Sequence, residues 1–192
     1  MLDRIAVAIS IIFSPFLIPV PTILLLAWTY ANSLQQATLW ILVVTVFASV
    51  LPSIFILALV RSGRLSDLHL AVRKQRLAPL YLSLVSTLVG TVVLYQIDAP
   101  RQIVLPCIAY AINGVVFTAI THRWKISFHC GSAAGAITVL MLLVDAKIAW
   151  LSLLLPLIAW ARVQRKRHTI LQTAAAALIA VAGTVLVLQI SL

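Results

Sequence analysis

Long apolar runs follow one another down almost the whole chain, and polar residues are confined to short junctions between them. The runs fall near residues 5–31, 38–60, 77–96, 101–121, 129–144, 147–161 and 168–191. With 63% hydrophobic and 9% charged residues in 192 positions, a soluble domain has too little interior to hide this apolar surface. In a bilayer the backbone must satisfy its hydrogen bonds within each segment, so such runs predict membrane helices. The expected fold is all-α, a polytopic transmembrane helix bundle of about seven spans. It forms a single integral membrane domain over 1–192, with no soluble domain and no long linker. The first run, Ile5–Ala31, is too long for a signal-peptide core and reads as an uncleaved span. Its prolines, Pro15, Pro19 and Pro21, are expected to kink or break it.

The stretch from Gly131 to Ala161 decides the topology. As one helix it would reach roughly 46 Å, against a hydrocarbon core of about 30 Å. Asp145 and Lys147 interrupt it, so two short helices joined by a tight turn fit better. That turn returns Arg162 to the membrane face that holds His129. With seven spans, the N-terminus and the junctions 61–76, 122–129 and 162–168 share one side, which carries 12 of the 14 basic residues. By the positive-inside rule that side is cytoplasmic.

The net charge of +10 sits at these junctions, which favours anionic headgroups or a phosphorylated lipid as partners over nucleic acid. Cys107 and Cys130 fall at different depths and are not expected to bridge. The acids are only Asp3, Asp67, Asp98 and Asp145, and there is no glutamate. That scarcity excludes enzymes that hold Mg²⁺ on clustered aspartates, and carboxylate proton relays within the membrane. No metal or organic cofactor is implied. What remains is imidazole, guanidinium, serine and helix N-termini. Those groups suffice for phosphoryl transfer through a phosphohistidine. A neutral imidazole attacks phosphorus, arginines neutralise the equatorial oxygens, and a second imidazole protonates the departing oxygen. In the loop 61–76, Arg73 and Arg76 lie one helical turn apart, a spacing that suits clamping a phosphate or forming a plain basic collar. Arg165, Lys166 and Arg167 read as an ordinary collar, and Gly131 with Gly135 as close helix packing.

Two segments carry a family resemblance. Ser127-Phe128-His129 and Ala161-Arg162-x5-His168-x3-Gln172 resemble the second and third motifs of the type 2 phosphatidic acid phosphatase superfamily, P-S-G-H and S-R-x5-H-x3-D. These are the lipid phosphate phosphatases related to vanadium haloperoxidases. The first motif, K-x6-R-P, corresponds loosely to the Arg61–Arg76 loop, where His69 and Leu77 replace Lys and Pro. The resemblance implies His168 as nucleophile and His129 as general acid. It also implies phosphate contacts from Ser127, Arg162 and an arginine of the first loop, Arg73 or Arg76. Ile126, Phe128 and Ala161 depart from the pattern, and Gln172 stands where the family has the aspartate that orients the nucleophile. Asp67 is a candidate substitute for that carboxylate. The expected function is hydrolysis of a lipid phosphate or diphosphate, of polyprenyl phosphate or phosphatidate type. The alternative is a weak or inactive lipid-phosphate binder or transporter on the same scaffold.

Overall fold

The computed structural model describes residues 1–65 and 77–191, and these residues form helices joined by short turns with no strand among them. In chain order the helices are α1 (Leu2–Ile12), α2 (Pro19–Tyr30), α3 (Leu34–Val44), α4 (Leu51–Arg61) and α5 (Leu77–Gln96). They continue as α6 (Arg101–Thr121), α7 (Phe128–Leu143), α8 (Leu154–Gln164) and α9 (Ile170–Ser191). A π-helical segment, Thr45–Val50, fuses α3 and α4 into one rod, and a 3-10 segment, Ala146–Leu153, leads into α8. Five helices are long and apolar enough to cross a membrane: Leu34–Arg61, Leu77–Gln96, Arg101–Thr121, Ala146–Gln164 and Ile170–Ile190. Two further apolar helices, Pro19–Tyr30 and Phe128–Leu143, are shorter.

The first apolar run is not one helix. It breaks at Phe13–Ile18 into α1 and α2, which corrects the single span expected over 5–31. The cause is local. Pro15 brings no N–H, so Ile11 O is capped early by the Ser14 N–H, and Pro19 and Pro21 restart the chain as a new helix, where missing donors cost nothing. The break expected near Asp145 is present: α7 ends at Leu143, and the Asp145 carboxylate accepts from the Lys147 N–H at 2.8 Å to start the 3-10 segment.

α7 packs most extensively on α9, through small residues. A Cβ on Gly131 would run into the Phe117 ring of α6 and stand 3.5 Å from Ala176 O of α9, and one on Gly135 would stand 3.3 Å from Thr184 Oγ1. Where lipid is as apolar as the core, backbones gain by such close approach rather than by apolar burial. Two buried clusters stack along the bundle. One holds Leu26, Val44, Leu94, Ile103, Leu143 and Leu188; the other holds Phe117, Ile126, Cys130, Ile158, Ala176 and Ala180. Large apolar side chains such as Leu178, Leu186 and Ile190 point outward.

Candidate functional site

The site begins with how α8 ends. Lys166 has a positive φ of 52° and serves as the left-handed residue after the helix. Its N–H bonds Val163 O at 2.8 Å, while the Arg167 N–H bonds Arg162 O at 3.0 Å. This pair is a Schellman closure with lysine in the position that glycine usually takes. The His168 N–H also reaches Arg162 O, at 3.3 Å. Two amides on one carbonyl therefore bind the turn to Arg162 and set the spacing between Arg162 and His168.

The next helix begins with a capping box. Thr169 Oγ1 accepts from the Gln172 N–H at 3.3 Å, and Gln172 Oε1 accepts from the Thr169 N–H at 3.2 Å. The same Oε1 lies 3.3 Å from His168 Nδ1. Because the Thr169 amide can only donate, it fixes this atom as the oxygen, and His168 must then donate from Nδ1. The lone pair of the neutral ring is left on Nε2. Gln172 thus contacts His168 Nδ1 and caps α9 with the same oxygen. The T-x-x-Q pattern is readable in the sequence as a helix start, and its glutamine stands four residues after His168.

His129 is half-buried in the first turn of α7, and its Nε2 lies 3.1 Å from Ser10 O. A carbonyl only accepts, so His129 carries its hydrogen on Nε2. Ser10 O has this capacity because the Ser14 N–H, its ordinary helical donor, goes to Ile11 O at the broken end of α1. The proline-induced break is therefore bonded directly to the site. A second bond, from the Tyr110 hydroxyl to Pro15 O at 3.2 Å, ties down the same elbow.

Arg162 is 1% exposed, in the last turn of α8, where the helix macrodipole favours a cation. His168 is 7% exposed. Arg162, His168 and His129 all line one cavity of about 410 Å³, and His129 lies within electrostatic reach of the other two. Ser127 is fully buried, and its hydroxyl caps α7 by accepting from the Cys130 N–H at 3.5 Å. Asp67, Arg73 and Arg76 lie outside the described residues. Of the eight expected site residues, three, His129, Arg162 and His168, line the cavity, and a fourth, Gln172, lies behind His168.

Away from this end the cavity wall is almost entirely apolar or hydroxylic, with Ile23, Leu26, Val44, Ile103 and Val139 at the far end. Asn113 also lines it, an amide in the middle of α6 that the sequence reading passed over. Its Nδ2 donates to Ala180 O at 3.3 Å and Thr184 Oγ1 at 3.1 Å, joining α6 to α9. A lone amide inside an apolar helix was the available signal. No protein-family model matches the chain, and neither a curated protein nor a solved structure does.

Proposed function

We propose that the protein is a metal-independent hydrolase of a lipid phosphate or diphosphate, working through a phosphohistidine on His168. The observation that carries this reading is the His168–Gln172 contact at the cavity wall beside buried Arg162. It places the lone pair of His168 on Nε2, the nitrogen that a phosphorus attack requires. In the proposed cycle Nε2 bonds to phosphorus as the bond from phosphorus to the lipid oxygen breaks. In this cycle His129 acts as the imidazolium: it gives its Nε2 proton to the departing oxygen, turning from Ser10 O to do so, and the neutral ring then takes a proton back from the attacking water. Water then attacks phosphorus, the P–N bond breaks, and inorganic phosphate leaves with His168 restored. The planar guanidinium of Arg162 matches two phosphoryl oxygens at once. An arginine of the loop outside the described residues, Arg73 or Arg76, joins it in this reading. Ser127 contributes by anchoring the first turn of α7 under His129, not by a contact of its own.

The topology belongs to the same proposal. The five long apolar helices are joined as crossings by α7 and by the broken α1–α2 pair, which makes seven and sets the basic junctions on the cytoplasmic face. A non-catalytic lipid-phosphate binder is the second reading, favoured by one observation: Gln172 offers His168 an amide and no charge. An aspartate would stabilise the developing imidazolium, whereas an amide fixes only the tautomer. The test is release of inorganic phosphate from a lipid phosphate by the purified protein in EDTA. Loss of release in both His168→Ala and His129→Ala supports the hydrolase. Full release in His168→Ala sinks the mechanism, and tight binding without release selects the binder.

A further inference from the structure

The cavity is long rather than round. On α6 it is lined by Ile103, Cys107, Tyr110, Asn113 and Phe117, a spacing that keeps one helix face on it from end to end. From Ile103 to Phe117 that face is about 21 Å of helix. α7 gives a second such face, from His129 to Val139. A lipid tail fills half of a hydrocarbon core of about 30 Å, so the slot is long enough to take one tail whole. Its volume, about 410 Å³, lies within the roughly 300–1,000 Å³ of small-ligand pockets. Charge is placed at one end only, where Arg162 sits with His129 and His168, and none of the described lining residues beyond them is charged. A second void, bordered by Phe47, Gly90 and Leu94, holds about 10 Å³, room for one water and not for a second chain.

The slot is also walled by backbone that no spanning helix would leave open. The Phe13–Ile18 elbow, with Ser14, Pro15 and Phe16 facing the cavity, is non-helical chain between two apolar helices. Irregular backbone at such depth persists where it borders a cavity rather than lipid. The π-helical segment after α3 contributes Ala48 to the same wall, a second interruption of regular helix on the cavity side.

We infer that the slot engulfs a single-tailed amphiphile, its anionic phosphate head at Arg162 and its one apolar tail drawn inside the bundle between α2, α3, α6 and α7. The inference rests on the phosphate-head reading above and adds where the tail lies and how many there are. A head bound with its tail left in the bilayer would need no apolar slot reaching Ile103. A two-tailed lipid would leave one tail outside.

The test uses the full chain in phosphatidylcholine nanodiscs, with native mass spectrometry reading bound amphiphile. The probes are hexadecyl phosphate, hexyl phosphate, dihexadecyl phosphate and hexadecanol. One hexadecyl phosphate per chain is expected, and Ala48→Phe, which plugs the far end, should cut its binding about tenfold, equivalent to roughly 1.4 kcal/mol. Hexyl phosphate should bind the wild type and Ala48→Phe alike. Ala136→Phe, on the α7 wall, serves as the second plug if Ala48→Phe does not fold. Hexadecyl phosphate binding that is unchanged in a folded plug variant overturns the inference, as does the absence of binding. Dihexadecyl phosphate binding as tightly as the single-tailed probe overturns the one-tail assignment. Hexadecanol binding as tightly as hexadecyl phosphate, with no effect of Arg162→Gln, leaves the slot standing and overturns the phosphate-head reading instead.

Discussion

At the scale of single residues, Gln172 and Lys166 carry the most testable geometry. Gln172 closes the α9 capping box and orients His168 with one oxygen. Gln172→Ala removes both and is expected to cost about 1 kcal/mol of stability, read as a lowered unfolding midpoint. Gln172→Glu keeps the box, since glutamate suits that position, and gives the imidazole a charge to lean on. In the proposed hydrolase it should raise kcat at least about tenfold with little change in KM, and a fall in kcat would count against the orienting role. Lys166 holds φ at 52° in a place where a Cβ is strained. Lys166→Gly should stabilise the protein by about 0.5–1 kcal/mol in thermal unfolding without moving Arg162. The sequence showed the x5 and x3 spacings among these residues but not the strained turn that realises them. A left-handed lysine has no signature in composition.

At the scale of elements, the broken first span is what joins the amino-terminal helices to the site. Its prolines predict a break, but not where the freed carbonyls go. His129 reaches Ser10 O, and Tyr110 reaches Pro15 O, across more than ninety residues of sequence. Tyr110→Phe is expected to cost about 1 kcal/mol and to speed backbone hydrogen exchange within residues 10–18, leaving α7 protected. The packing of α7 against α6 and α9 makes the opposite demand, for closeness. Gly131→Ala places a Cβ against the Phe117 ring and should destabilise by about 1–3 kcal/mol, and Phe117→Leu in the same chain should recover part of the loss.

At the scale of the whole molecule, the decisive feature is the reversal at Val144–Asp145. It turns the chain back on itself, so α7 and α8 each contribute a cavity residue at one end, His129 and Arg162. Lys125 precedes α7 and Lys147 follows it, at opposite ends of that helix. In a chain with both native cysteines replaced, cysteines at positions 125 and 147 are expected to react with impermeant reagents from opposite faces of the membrane. Labelling of both from one face would remove the paired-helix topology, and the proposed site with it.

The amino-acid sequence alone determined the helical, membrane-type character of this chain and the places where helices must break, and it singled out Arg162, His168 and His129 as candidates. Those properties are local: runs of apolar side chains, missing proline donors and short spacings along one chain. Tertiary structure alone decided that the three residues line one cavity and that the elbow between α1 and α2 borders it too. It also decided that a narrow apolar slot continues behind them. The shared cavity and the slot depend on contacts between helices far apart in sequence. In an apolar bundle such contacts are chosen by small residues and shape, which hydropathy does not record.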